Sequence, residues 1–321
     1  MILSPEVLTI EILDSIFLGL GTIAFVLALK ISLRWDINST TQAQYRLEKQ
    51  SSLTATIIKY ILAIKIPLFL FFIFTLDKIS NLLTGAMCAA GVVDATDYGI
   101  YLLILKLLNL YLFGFWLSLH YLDTKSPTLP YTKIKFEFFA IVYWFLIAEI
   151  IIEVIMFASI DVDKMVSCCG TLYSTSATSA IGDILNINTT LLLGLFYGTF
   201  LLLVIFYRFR VKYLFAIINI VFVIISLISL ISFFGTYIYE LPTHHCPFCF
   251  LQKDYYYIGY FIYSFLFIGT FYGIRTGLLD SLGKESQKSY SISLLFDTLY
   301  LFLVSFYPIF YFFRNGVWLG S

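Results

Sequence analysis

The sequence predicts an all-α integral membrane protein, built as a single bundle of about eight transmembrane helices. Of the 321 residues, 60% are hydrophobic and 12% are charged, whereas soluble domains average about 45–50% and about 25%. The mean hydropathy is +0.91, and several apolar stretches reach the roughly 18–20 residues that a helix needs to cross a bilayer. These observations exclude a soluble enzyme. Lys and Arg together equal Asp and Glu at 20 each, with no basic block, which argues against nucleic-acid binding.

Charged or turn residues separate the apolar stretches and set the boundaries of the predicted spans. The first stretch is too long for the core of a signal peptide and has no basic residues before it, so we expect it to be retained. The longest connections have about 20–30 residues and the sequence has no convincing internal repeat, so we predict one polytopic domain over residues 1–321. The predicted spans are residues 9–33, 56–76, 99–121, 137–159, 190–207, 213–235, 258–278 and 292–313.

The distribution of basic residues predicts the orientation of these spans. One set of connections carries 14 Lys and Arg residues and the other set carries four. Cytoplasmic loops hold the excess of basic residues in membrane proteins. Both termini are therefore expected outside the cytoplasm, in a multi-pass protein of the inner or plasma membrane.

All five cysteines fall in the connections that this orientation places outside the cytoplasm. Cys88 follows the second predicted span, Cys168 and Cys169 follow the fourth, and Cys246 and Cys249 follow the sixth. We therefore expect an extracytoplasmic layer of thiols, provided that the three loops converge.

The stretch His244-His245-Cys246-Pro-Phe-Cys249 carries the strongest chemical signal. Proline is favoured at the first position of a helix, so we expect Cys246 to cap a helix and Cys249 to lie one turn further on. A helix N-terminus and a protonated histidine both stabilise a thiolate. The alternatives are a structural disulfide and two ligands of a metal site. His244 and His245 favour a functional site, as proton donors or as ligands.

The four residues Cys-Pro-Phe-Cys are similar to the active-site dithiol of glutaredoxin- and thioredoxin-like oxidoreductases. The arrangement of thiol loops around an aromatic-rich bilayer segment also resembles the membrane thiol oxidoreductases that pass electrons between periplasmic proteins and quinone. This resemblance implies Cys246 as the attacking thiolate and Cys249 as the resolving thiol. It also implies a quinone acceptor and an extracytoplasmic thioredoxin-like partner.

The other cysteines leave two interpretations open. Neighbouring cysteines such as Cys168 and Cys169 can close only a strained ring, which suits exchange or soft-metal binding better than a structural role. The alternative is that one or both thiols pack in a small-residue corner or bridge to another loop. Cys88 lies among small residues and is either a fifth member of a cluster or a buried structural thiol.

Our first hypothesis is a membrane thiol–disulfide or electron-transfer protein that uses Cys246, Cys249 and the Cys168/Cys169 pair, with His244 and His245 beside them. The second is a protein that binds, transports or delivers a transition metal, copper first, with the same residues and Cys88 as ligands and a metal-carrier protein as partner. Met87 and Met165, each next to a cysteine site, would add thioethers. The third is a non-catalytic subunit of a larger membrane complex.

Charged residues inside the predicted spans form a second candidate site. Glu149 and Glu153 share one face of the fourth span. By depth we pair Glu149 with Lys65 and Glu153 with Lys106, either as structural ion pairs or as a polar route for protons or ions. Glu11, Asp14 and Asp297 lie nearer the span ends, and we expect them to reach an interface.

Overall fold

The computed structural model describes residues 4–36, 39, 41–126, 128–161, 165–166, 187–278 and 286–319. These residues form helices and turns, with no β-strand among them. The described residues contain eight helices long and apolar enough to cross a bilayer, the number predicted. Seven of these spans are single helices: α1 (Pro5–Arg34), α2 (Gln42–Ser80), α4 (Gly99–Lys125), α5 (Thr132–Ser159), α6 (Thr189–Phe209), α9 (Ile258–Leu278) and α10 (Ser286–Asn315). The sixth span along the chain is continuous but has three parts: α7 (Lys212–Ser229), a π-helix (Leu230–Phe234) and α8 (Gly235–Tyr239). A short helix, α3 (Ala89–Asp94), lies between α2 and α4.

Two helices begin well before the apolar stretch that marks them in the sequence. Helix α2 begins at Gln42 rather than near residue 56, and Thr41 caps it by accepting a hydrogen bond from the Gln44 backbone N–H at 3.3 Å. Helix α10 begins at Ser286 rather than near residue 292. The polar residues that precede both apolar stretches continue the helix, because backbone hydrogen bonds within a helix do not require apolar side chains.

The chain divides into two compact units, and the first comprises Met1–Thr84 and Val92–Met165. In it, α1 packs against α2 and α5, and α4 packs against the same two helices. The buried side chains between them are apolar and often aromatic, with Trp116, Phe136 and Phe139 fully enclosed. Helices α4 and α5 are also joined at their connection, where buried Asp123 accepts hydrogen bonds from the Lys135 ammonium at 2.5 Å and the Tyr131 backbone N–H at 2.8 Å.

The second unit comprises Gly85–Gly91 and Val166–Ser321. Helix α9 lies between α7 and α10, and α6 packs against α7. Three glycines one turn apart on α9 allow this close packing: a Cβ on Gly269 would meet the Asp297 carboxyl, one on Gly273 would meet Asn219, and one on Gly277 would meet Ala216 at 2.5 Å. Small residues at such positions are typical of helix packing in membranes.

Asp297 does not reach an interface, contrary to our expectation. It is fully buried within the second unit, where one carboxyl oxygen accepts a hydrogen bond from Ser293 Oγ at 3.1 Å. The predicted span began too late, and the earlier start of α10 places Asp297 well inside the helix. The single bundle of eight helices and the extracytoplasmic position of both termini stay predictions.

Candidate functional site

Three cysteines of the second unit converge in space. Cys88, Cys246 and Cys249 offer sulfur atoms that all lie within 4.8 Å of one another. The Sγ atoms of Cys88 and Cys246, 158 positions apart in the sequence, are 3.5 Å apart. The three residues are thiols, not disulfides, and their exposed fractions are 0%, 0% and 7%. We call this set the three-cysteine cluster.

The spacing of the sulfurs fits joint coordination of one ion. A disulfide requires about 2.05 Å between sulfurs, well below the observed separation. Two thiolates bonded to one tetrahedral zinc ion at about 2.3 Å each lie roughly 3.8 Å apart. The cluster can therefore bind a metal or take part in redox chemistry, and its present geometry is nearer to that of a metal site.

The loop that carries Cys246 and Cys249 follows the sixth span directly. Helix α8 ends at Tyr239, Glu240 then has a left-handed backbone conformation, and a turn closes with the His244 N–H bonded to the Leu241 carbonyl at 3.3 Å. Cys246 lies in a segment without regular secondary structure, and a single 3₁₀ turn begins at Cys249. The expected helix with Cys246 as its cap is therefore wrong.

Packing explains why the chain turns there rather than forming a helix. Phe250 and Leu251 lie so close to the start of α9 that a Cβ on Gly259 would collide with both side chains. The Phe250 ring stacks on the Tyr239 ring, with centroids 5.9 Å apart. Burial of these side chains holds the Cys-Pro-Phe-Cys segment against the helix ends and outweighs local helix propensity.

Two tyrosine hydroxyls fix the backbone of this loop. The Tyr239 hydroxyl donates to the Cys246 carbonyl at 2.5 Å and accepts from the Phe250 N–H at 3.2 Å. The Tyr263 hydroxyl donates to the Pro247 carbonyl at 2.8 Å. Because buried backbone groups are costly when unpaired, these bonds determine the conformation of the residues between the two cysteines.

Cys88 reaches the cluster from the connection after the second span. The Gly91 N–H donates to the Cys88 carbonyl at 3.0 Å, which begins α3. The side-chain amide of Gln252 donates to the Met87 carbonyl at 3.2 Å and so ties this segment to the loop that carries Cys249. The Met87 side chain itself is 80% exposed, as is that of Met165 at 81%, so neither thioether is enclosed with the sulfurs.

The two histidines have different surroundings. The buried His245 ring places Nδ1 3.1 Å from the Ile231 carbonyl. A carbonyl only accepts, so Nδ1 carries the proton and, in the neutral ring, Nε2 carries the lone pair. A metal-binding histidine commonly makes this kind of bond to a backbone carbonyl. Ile231 lies in the π-helix, a type of helix that is frequent at functional sites.

His244 interacts electrostatically with Cys88 of the three-cysteine cluster. Its Nε2 atom is buried and makes no hydrogen bond to any described residue. Its ring lies edge-on against Tyr239, with centroids 4.3 Å apart. Burial lowers the pKa of His244, an effect that Cys88 partly opposes and His245 reinforces. The lowered pKa favours the neutral ring, which offers a lone pair. Neither imidazole belongs to the set of ligand atoms within 4.8 Å of one another.

The remaining predicted thiols, Cys168 and Cys169, lie outside the described residues. Their exchange with Cys246 and their role as ligands stay predictions.

The charged residues of the first unit form one connected group. Lys65 Nζ lies 3.0 Å from Glu149 and Lys106 Nζ lies 2.7 Å from Glu153, so both predicted ion pairs are present. Lys106 also contacts Glu149 at 2.9 Å and thereby joins the two pairs. Asp14 belongs to the same group, at 2.8 Å from Lys65.

Our expectation that Asp14 reaches an interface was wrong. It is 1% exposed. Helix α1 begins at Pro5, four residues before the predicted span, and this places Asp14 deeper in the unit than the predicted boundary implied.

Comparison with family models, with curated proteins and with solved structures gives no match.

Proposed function

We propose that this chain is a multi-pass membrane protein that binds a thiolate-preferring metal ion at the three-cysteine cluster, with His244 as the fourth ligand. The observation that carries the proposal is the convergence of three buried sulfurs, from two separate segments, within 4.8 Å. Three thiolates and one imidazole form a common tetrahedral ligand set for Zn²⁺, and Cu(I) also prefers thiolates.

Burial favours metal binding over exchange with a partner protein. A thiol that attacks a partner's disulfide has to be accessible, and reactive cysteines are partly exposed. Cys246, the proposed attacking thiolate of our first hypothesis, is 0% exposed. A closed site with four protein ligands instead stabilises the fold or holds a metal for delivery. In the proposed orientation the cluster faces the extracytoplasmic side.

The lone pair on His244 distinguishes the two metals. Its buried Nε2 makes no hydrogen bond within the described part of the chain. A fourth ligand completes a tetrahedral Zn²⁺ site, whereas Cu(I) is satisfied by sulfur ligands. We therefore expect Zn²⁺ as the bound ion, whereas our sequence-based hypothesis favoured copper.

Metal analysis of the full chain, purified into lipid nanodiscs without chelator, tests the proposal. We expect one zinc per chain, lost on Cys88→Ser, Cys246→Ser or Cys249→Ser and weakened on His244→Gln. Met87→Leu is the matched control, since it changes the sulfur-bearing neighbour of Cys88 whose side chain is exposed. Replacing zinc with Co²⁺ adds a thiolate-to-cobalt absorption band that should decrease with each cysteine removed.

Three results would count against this proposal. A protein that is metal-free and binds neither Zn²⁺ nor Cu(I) would refute it. Retention of copper by His244→Gln would show that the three-cysteine cluster binds a metal and that the histidine is not one of its ligands. Metal retained in all three cysteine variants would place the site elsewhere.

Thiol–disulfide chemistry is the second candidate, favoured by the 3.5 Å between the sulfurs of Cys88 and Cys246. Joining these two thiols releases two protons and two electrons, which a quinone would accept to become a quinol. A metal-free protein whose thiols appear only after reduction would support this candidate. In that case Cys249→Ser would still form the Cys88–Cys246 disulfide. After reduction of that disulfide to two thiols, a quinone analogue would oxidise the pair again and become the quinol.

A further inference from the structure

The charged group of the first unit has more acids than bases. Each lysine contacts two carboxylates: Lys65 lies beside Asp14 and Glu149, and Lys106 lies beside Glu149 and Glu153. The five side chains are at most 5% exposed. If all were ionised, the group would hold three negative and two positive charges inside a segment that we place in the bilayer.

The hydrogen bonds are distributed unequally among the three carboxylates. Both oxygens of Asp14 accept from Lys65, at 2.8 and 3.0 Å. Glu149 receives both lysines on Oε1, and its Oε2 accepts from the Asn109 amide at 2.5 Å. Among the described residues, only the Lys106 ammonium donates to Glu153, and it does so on Oε2. Its Oε1 is buried and has no hydrogen-bond partner among the described residues.

The group therefore lacks a donor rather than an acceptor. Asn109 Oδ1 and Glu11 Oε1 are further buried acceptors that no described residue satisfies. A cavity of about 10 Å³ adjoins Lys65, Lys106 and Glu149, close to the volume that one water molecule needs. An uncompensated charge in the membrane is expensive, so one additional positive charge stabilises this arrangement.

Glu153 lies near the C-terminal end of its helix. It lies six residues before the end of α5 at Ser159, or about 9 Å along the helix at 1.5 Å per residue. Glu11, half-buried on α1, lies at the same end of the unit and interacts electrostatically with Lys65, Lys106 and Asp14. The charged groups that interact with Glu153 are Asp14 from α1, Lys65 from α2, Lys106 from α4 and Glu149 from its own helix.

We propose that the first unit contains a membrane-embedded proton-binding site in which Glu153 Oε1 takes up one proton while Lys106 holds Oε2. Binding converts the carboxylate to a neutral acid and leaves two carboxylates opposite two ammonium groups. Release of the same proton to water restores the carboxylate. The site is formed by residues of the first unit alone.

Infrared difference spectroscopy of the full chain in lipid nanodiscs, with pH steps in H₂O and D₂O, tests the assignment. The carbonyl stretch of a neutral carboxylic acid is separate from that of a carboxylate. We expect a protonated-carboxyl band in the wild type that Glu153→Gln removes. Asp14→Asn should also remove it, because two carboxylates then face two ammonium groups and Glu153 stays ionised.

Controls separate this result from misfolding and from other acids. Asp297→Asn removes the buried carboxyl of the second unit and should leave the Glu153 band intact. Glu153→Asp should retain a shifted band, and circular dichroism identifies any variant that fails to fold. The proposal is overturned if the band persists in folded Glu153→Gln. It is equally overturned if the band persists in folded Asp14→Asn.

A further experiment with and without Na⁺ tests whether the site binds a proton or a metal cation. Replacing Na⁺ with choline at fixed pH should leave the spectrum unchanged. A carboxylate band that shifts with Na⁺ and not with pH would assign the site to sodium and refute the proton.

Discussion

The Tyr239 hydroxyl makes hydrogen bonds to the backbone at Cys246 and at Phe250, on either side of the Cys-Pro-Phe-Cys turn. Tyr239→Phe should therefore weaken metal binding. The substitution removes the donor to the Cys246 carbonyl and the acceptor of the Phe250 N–H. Each buried backbone group left without a partner costs about 1–3 kcal/mol. The total is about 2–6 kcal/mol, and even the lower value corresponds to a roughly 30-fold weaker Kd.

This free-energy cost should weaken metal binding by the loop and leave the stability of the whole protein nearly unchanged. The substitution preserves the aromatic ring, and with it the packing against Phe250. We expect the apparent Zn²⁺ affinity, measured by competition with a chromophoric chelator, to fall while the Tm of metal-free protein changes little. The matched control is Tyr300→Phe, which removes a buried hydroxyl bonded to the Ser226 carbonyl at 3.2 Å in the same unit. A Kd change below about threefold, or an equal change in the control, would refute the reasoning.

Three further predictions concern packing, pH and a buried ion pair. Gly259→Ala should weaken metal affinity by about tenfold, because its Cβ would displace Phe250 at a cost of about 1–3 kcal/mol; the same chelator competition measures it. Burial lowers the pKa of His244, so the folded chain binds fewer protons than the unfolded chain below about pH 6.5. The stability of the folded chain should therefore fall on acidification through this range, and His244→Gln should flatten the curve of Tm against pH. Asp123→Ala leaves the Lys135 ammonium buried without its carboxylate, and it should lower the free energy of unfolding by about 3–5 kcal/mol in denaturant titrations. An unchanged unfolding midpoint would contradict a stabilising role for this ion pair.

The number of spans could be predicted from hydropathy, but the depth of individual residues could not. Hydropathy alone assigns the polar residues before each apolar stretch to loops and therefore places Asp14 and Asp297 near span ends. Both helices continue through those polar residues. An error of a few residues at a helix start changes the depth by about 1.5 Å per residue.

The site residues were predictable by type and only partly by geometry. The spacing of Cys246 and Cys249 indicated a dithiol or ligand pair, and the depths of Glu149 and Glu153 gave the correct lysine for each. The convergence of Cys88 with the other cysteines depends on helix packing, which one sequence does not encode in any local pattern. The helix expected at Cys246 fails because packing of Phe250 against Gly259 decides the conformation there.

The distance along the chain between Cys88 and Cys246 affects how the protein is made. The ribosome has to add 158 residues after Cys88 before the sulfur that lies 3.5 Å from it exists. During that interval the Cys88 thiol has neither of its neighbours and is open to oxidation or to capture by other thiols. A nascent chain stalled before Cys246 should therefore react with a thiol-specific reagent at Cys88, and the finished protein should be protected.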